Sequence, residues 1–333
     1  MEDEIMKKFL SVNKQSNSPR IGKYASKKET FYEDIEKWQN ERTKEKYDIR
    51  PIQFTFEITN RCNCNCKDCG MSANSIIEGK TKLTENDVYK LVDDLYENGV
   101  PAFAITGGEP FLEFDNMCKM IKYSEGKVDV NKIISNGFWG RNAEHYFKKI
   151  EEAGLFNNQF FVPSIQISIG EQTIPLEYIC NIINYVSKHY TIEQLNLGIV
   201  HTRLKGEKES QLQKLYDIYL QKFGQFPEGR IYLTDSYYVN SNINAKEKIE
   251  TYSMTIFEAV QQCDNRFGTE VGKFVSPKIF MKFNGDCYPC EVFNMHKDMF
   301  IGNYFKDGLS KVLENLNNNK YVRFIKKYGT IRI

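Results

Sequence analysis

"IQFTFEITNRCNCNCKDCG", residues 52–70, joins two unlike halves. Its first eight residues, 52–59, are rich in β-branched and aromatic side chains and predict a buried strand. The remainder places Cys62, Cys64, Cys66 and Cys69 within eight positions, four of the nine cysteines in the chain. Several thiols on one loop make a soft-ligand site, with zinc and iron–sulfur as the main choices.

Similar apolar runs follow at "AFAIT" (102–106), "KIIS" (132–135), "IQISI" (165–169), "LNLGIVHT" (195–202) and "RIYLT" (230–234). Helical patterns separate them. In "LTENDVYKLVDDLYENG" (83–99), Thr84 and Asp87 form a capping-box pattern, and Val88, Leu91, Val92, Leu95 and Tyr96 recur at helical spacing before Gly99 supplies a stop. Residues 141–154, 175–189 and 210–223 fit further helices. Strand and helix in alternation imply an α/β fold with a parallel sheet, either open and doubly wound or a partial barrel of about six units. In both, ligands bind at the carboxyl ends of the strands. The unusual residues fall there: the cysteine run after the first strand, "TGGEP" (106–110) after the second and "SNGFWG" (135–140) after the third.

Composition narrows the function. The 333 residues include 45 basic and 44 acidic ones, a net charge of +1, so the broad positive field that nucleic-acid backbones require is missing. Neither a run of about 18 apolar residues nor a signal-peptide core occurs, which predicts a cytoplasmic protein without a membrane partner. Thiols stay reduced in that compartment, so clustered cysteines there read as metal or catalytic groups. Residues 1–48, rich in Lys, Glu, Asn and Ser, are expected to be a partly ordered extension with a helix within 29–47.

Structural zinc usually takes two separated ligand pairs, and an electron-transfer cluster takes four cysteines. Cys62, Cys66 and Cys69 instead have the spacing C-x3-C-x2-C, enough for three corners of a cuboidal cluster. This loop after a first strand, with "GGEP" after the second, resembles the radical S-adenosylmethionine (radical SAM) superfamily over roughly residues 50–235. The resemblance implies a partial (β/α)6 TIM-like barrel with a 4Fe-4S cluster on Cys62, Cys66 and Cys69. The free iron would chelate S-adenosylmethionine, whose reductive cleavage gives a 5'-deoxyadenosyl radical that takes hydrogen from a substrate. It also implies that Gly107, Gly108 and Glu109 meet the methionine amino group. Ser135 and Asn136 would line the cofactor pocket, and Ser168 would reach the methionine carboxylate or ribose. Two positions depart from the family: Cys64 stands where an apolar residue is usual, and Asp68 where an aromatic residue or His is common. His201 and Arg203 end the fifth strand, whereas Cys118 and Cys180 lie in helical patterns and read as packing.

In the last third, "IFMKFNGDCYPCEVF" predicts a hairpin turning at Asn284-Gly285, with Cys287 and Cys290 on its outgoing arm. The G-x4-C spacing followed by "IGN" resembles the SPASM or twitch extension of radical SAM enzymes. That implies a small C-terminal α+β domain and a candidate auxiliary iron–sulfur cluster on Cys263, Cys287 and Cys290, with His296 as a further ligand candidate. Cys287 is alternatively a hydrogen-donor candidate. The expected division is 1–48 extension, 49–240 radical SAM core and 250–333 twitch-like domain. Enzymes with such extensions often modify peptides and proteins, which implies a ribosomally made precursor peptide as substrate (epimerisation, thioether or carbon–carbon crosslinking) and a ferredoxin or flavodoxin as electron donor. The alternatives are a radical SAM enzyme of small molecules and a non-catalytic iron–sulfur or zinc-binding regulatory protein.

Overall fold

The computed structural model describes residues 31–43, 47–66, 69, 71, 73–74, 81–170, 174–203, 211–228, 231–237, 278–291 and 297–323. Each apolar run is a strand: β1 Gln53–Glu57, β2 Ala102–Thr106, β3 Asp129–Ser135, β4 Ser164–Ile169, β5 Asn196–Arg203 and β6 Ile231–Tyr237. Each pairs in parallel with the next in chain order. A doubly wound sheet reverses its strand order at a switch point. Here the order runs β6-β5-β4-β3-β2-β1 without reversal, the winding of a partial (β/α)6 barrel.

The helices between the strands follow the sequence patterns closely. They are α2 Glu85–Glu97, α3 Phe114–Ser124, α4 Ala143–Glu152, α5 Leu176–His189 and α6 Gln211–Phe223. At the start of α2 the Asp87 N–H donates to Thr84 Oγ1 (3.3 Å) and the Thr84 N–H to Asp87 Oδ2 (2.7 Å), which completes the capping box. The two faces of the sheet differ. Ile165, Ile167 and Ile169 of β4 stand beside Leu197, Ile199 and His201 of β5, all buried. Their neighbours Gln166, Ser168, Gly198 and Val200 alternate onto the other face and keep partial exposure. The apolar outer face is sealed by helices at about 1.5–3 kcal/mol per buried Ile or Phe. The inner face stays polar and partly open.

An earlier helix, α1 Phe31–Arg42, packs at the amino ends of the strands. Gln39 Nε2 donates to the carbonyls of Pro51 (3.2 Å) and Gly99 (2.8 Å), just ahead of β1 and β2. Phe31 and Trp38 meet Phe161 and Phe160 edge-on, just ahead of β4. Within a segment whose composition suggests an extension, residues 31–42 thus supply a core helix that closes the end opposite the cysteine loop.

The C-terminal hairpin turns where expected. Its arms are β7 Lys278–Met281 and β8 Asp286–Tyr288, with Gly285 at φ +92°, a left-handed conformation that favours Gly. The arms do not form a sheet of their own. β7 lies parallel to β1, with Phe54 opposite Ile279 and Phe56 opposite Met281, and β9 Gly302–Asn303 extends the sheet beyond β8. The physical reason is the free edge that an unclosed barrel leaves on β1, whose peptide groups need partners. A one-turn helix, α7 Tyr304–Asp307, and α8 Leu309–Asn318 complete this part, and Tyr304 donates to Asp94 Oδ2 of α2 (2.7 Å). Among the described residues, no helix is long and apolar enough to cross a membrane.

Candidate active site at the carboxyl ends of the strands

The cysteine loop leaves β1 and is fixed to the loop after β2 by backbone hydrogen bonds. The Gly108 N–H donates to Thr59 O (2.7 Å) and the Glu109 N–H to Arg61 O (2.8 Å). Such close approach requires glycine. A Cβ on Gly108 would lie 2.1 Å from the Arg61 carbonyl oxygen, and one on Gly107 would lie 2.5 Å from that of Thr59. Asn74 holds the loop from its other side. It accepts from the Cys62 N–H (2.8 Å) and donates to the carbonyls of Cys62 (2.9 Å) and Cys64 (3.2 Å). At φ +59° it occupies the left-handed region, which Asn tolerates better than most residues. The sequence reading missed it, and its only local signal is an Asn just after a dense cysteine run.

Glu109 is fully buried and joins three segments. Its Oε1 accepts from the Phe111 N–H (3.0 Å) and Ser135 Oγ (2.9 Å), and its Oε2 from the Asn136 N–H (2.7 Å). Burial pushes its pKa up to about 7, against the lowering effect of these donors. Ser135 Oγ also accepts from Trp139 Nε1 (2.9 Å) and the Gly137 N–H (3.0 Å), which ties the "SNGFWG" turn into the same network. The side chain of Asn136 faces the cysteines. Its Nδ2 donates to Asn63 Oδ1 at 2.8 Å and lies 3.3 Å from Cys64 Sγ and 3.8 Å from Cys62 Sγ.

The thiols differ in character. A hydrogen bond from the Cys64 thiol is the largest of the effects that hold Cys62 down at about 7, so a substantial share is thiolate at neutral pH. Cys64 is buried and its own pKa is driven strongly upward, chiefly because its thiol hydrogen is shared with the sulfurs of Cys62 and Cys66. Burial raises Cys69, which lies within electrostatic reach of Cys62 and Cys66. Among the described residues, no three Cys, His, Asp or Glu side chains converge on a single-ion site. Three thiols on one loop, one of them ionised near neutrality, suit a thiolate-bound iron–sulfur cluster. The two glycines let the loop after β2 close on the cysteine loop, with the buried Glu109 carboxyl beside them.

Other expected site residues are distributed unequally. Ser168 lies on the inner, partly open face. His201 lies on the outer face beside Ile169, away from the barrel mouth, and is wholly buried. Cys180 is buried in α5 and donates to Leu215 O (3.7 Å). Asp68, Cys263 and His296 fall outside the described residues, as does the side chain of Arg203. Cys287 stands opposite Met281, which itself stands beside Phe56. That puts Cys287 on the outer face of the sheet, fully buried, with its thiol donating to Gly285 O (3.3 Å). The register thus turns Cys287 away from the inner face. Cys290 is also buried, and its Sγ contacts Glu291 Oε2 at 3.2 Å.

Glu57, at the carboxyl end of β1, was read only as part of a strand. Its Oε2 accepts from the Phe283 N–H (3.1 Å), and its Oε1 is buried without a hydrogen-bond partner among the described residues. Burial raises its pKa from 4.5 to about 7, partly offset by Lys282. The folded protein thus keeps a proton that the unfolded chain has lost. This contribution to stability is complete below about pH 4.5, falls as pH rises toward about 7, and is level above that. In Glu57→Gln, the slope of unfolding free energy against pH in this window should be shallower by up to about 1.4 kcal/mol per pH unit. Urea unfolding of the cluster-free protein across the window measures it, and equal slopes for parent and variant would refute the buried-carboxyl account.

Residues 56–217 match the model of the Radical SAM superfamily. The chain is similar to the putative peptide biosynthesis protein YydG of Bacillus subtilis, 21% identical over 284 residues, covering 83% of this chain and 80% of YydG. It is also similar to the antilisterial bacteriocin subtilosin biosynthesis protein AlbA of the same organism, 20% identical over 284 residues, covering 80% of this chain and 60% of AlbA. Among solved structures, Streptococcus suis SuiB bound to precursor peptide SuiA matches with a TM-score of 0.46 and 14% identity, covering 90% of this chain and 70% of that one.

Proposed function

The chain belongs to the radical SAM superfamily through residues 56–217, and on that premise we propose that it modifies a peptide, with a 4Fe-4S cluster held by Cys62, Cys66 and Cys69. When bound, the cluster and S-adenosylmethionine supply a 5'-deoxyadenosyl radical that removes hydrogen from the substrate. The residues of the chain hold and orient the reactants. Gly107 and Gly108 bring bare backbone close to the methionine end of the cofactor. Glu109 accepts from its amino group: a carboxylate has about four lone-pair positions and three are taken here, so one remains. Ser135 and the backbone of Asn136 fix that carboxylate, and Ser168 lines the inner face toward the ribose or carboxylate. A ferredoxin or flavodoxin serves as electron donor.

One observation carries the peptide reading. Similarity to YydG, named as a peptide biosynthesis protein, extends over 284 residues, well beyond the 56–217 of the radical SAM domain and into the C-terminal part of the chain. Likeness that extends outside the matched core supports a shared substrate class. The test is co-expression with short precursor peptides, followed by mass spectrometry of the products in ordinary and heavy water. Crosslinking removes two hydrogens, whereas epimerisation leaves the mass unchanged in ordinary water and adds one deuterium in heavy water. Peptides recovered unmodified, together with turnover of a small molecule, would overturn the reading.

For the hairpin cysteines we propose packing for Cys287, whose thiol is enclosed on the outer face. Cys287→Ala should leave iron per chain unchanged and cost about 1–3 kcal/mol of stability. Loss of about one cluster's iron would instead assign it to an auxiliary site.

A further inference from the structure

Cys64 is one of the two residues by which this loop departs from the family pattern, and its surroundings give it a purpose. It is 6% exposed, and its neighbours are polar. Its backbone N–H donates to Cys62 Sγ (3.3 Å), and its single thiol hydrogen is shared between the sulfurs of Cys62 and Cys66. Asn136 approaches from the third strand end, with Nδ2 at 3.3 Å from Cys64 Sγ and 3.8 Å from Cys62 Sγ. That amide is fixed in place. Its Nδ2 also donates to Asn63 Oδ1, its Oδ1 accepts from the Phe138 N–H (3.1 Å), and its backbone is held by Glu109. A leucine at position 64 could supply the backbone donor but neither the thiol donor nor a polar contact for Asn136.

We propose that Cys64 and Asn136 are positioning residues that set the reduction potential of the cluster, by donating hydrogen bonds to the sulfurs that bind it. Adding an electron puts negative charge on the cluster and its thiolates, so donors aimed at those sulfurs favour the reduced state and make the potential less negative. The proposal rests on the reading that Cys62, Cys66 and Cys69 hold the cluster.

The test is a dithionite titration of the reconstituted protein, followed by the electron paramagnetic resonance signal of the reduced cluster, with iron counted per chain. The oxidised cluster takes up one electron, and no protein bond changes. Cys64→Ala and Asn136→Ala should each shift the reduction equilibrium about fivefold toward the oxidised form, about 40 mV more negative at 59 mV per tenfold, with full iron content. Cys64→Ser, which keeps a donor, should stay near the parent. A parental potential in Cys64→Ala at full iron would overturn the proposal, as would a Ser variant as negative as the Ala variant. Loss of iron in Cys64→Ala would make Cys64 a ligand and overturn it too. If circular dichroism shows Cys64→Ala unfolded, Asn136→Ala decides by the same criterion. Full iron in Cys62→Ala would refute the underlying ligand assignment instead, so the two failures are distinguishable.

Discussion

Cys62→Ala should lose the cluster and all measurable 5'-deoxyadenosine. The proposed site has three protein ligands and no reserve. Cys62 is brought down to about 7 by its neighbours, so a share of it is thiolate and ready to bind iron at neutral pH. The loss should therefore exceed the roughly 10–100-fold typical when only a supporting group of a metal ligand is removed. Iron and sulfide per chain and chromatography of 5'-deoxyadenosine measure it. Cys64→Ala is the matched control and should keep both cluster and product. Full iron and normal product from Cys62→Ala would remove the basis of the ligand set.

Gly108→Ala should be nearly as damaging, although it removes no chemical group. The added Cβ would lie 2.1 Å from the Arg61 carbonyl oxygen, 2.5 Å from its carbon and 2.8 Å from the Asn60 carbonyl carbon. All three are backbone atoms, so no side chain can rotate away. Relief requires the two loops to part by about 1 Å, which breaks the bond from Gly108 to Thr59 and disturbs the one from Glu109 to Arg61. A displacement of about 1 Å commonly costs on the order of 100-fold in rate. We expect that loss in S-adenosylmethionine cleavage, with weaker cofactor binding by equilibrium dialysis and a destabilisation of about 1–3 kcal/mol. Parental binding and melting temperature in this variant would show that the loops are not held as described.

Most of the barrel could be read from local pattern, because a strand covered by helices must carry an apolar run and a helix must carry its stripe. The capping box at Thr84 and Asp87 and the turn at Gly285 were legible for the same reason. Difficulty arose where polar residues serve the inside of the barrel. β3 begins at Asp129, earlier than its apolar run suggests, because Asp129 accepts from three backbone N–H groups and Asn131 donates to Gln53 Oε1 (2.7 Å). The docking of β7 on β1 was illegible, since it joins segments more than 200 residues apart through an edge that exists only once the sheet has formed. The same pairing decides which face Cys287 takes, and the pairing of β4 with β5 does so for His201. Spacing named the cysteines and glycines of the site. It could not show that Glu109, Ser135, Asn136 and Trp139 form one network, or that Asn74 clamps the loop.

The most direct measurement is made on the anaerobically reconstituted protein, reduced with dithionite in the presence of S-adenosylmethionine. 5'-Deoxyadenosine and iron per chain are determined together for the parent and Cys66→Ala. The ligand assignment predicts product from a parent carrying at least one four-iron cluster, and none from the variant. A fully loaded parent that binds S-adenosylmethionine without cleaving it, or equal product from both proteins, would contradict radical chemistry at this loop.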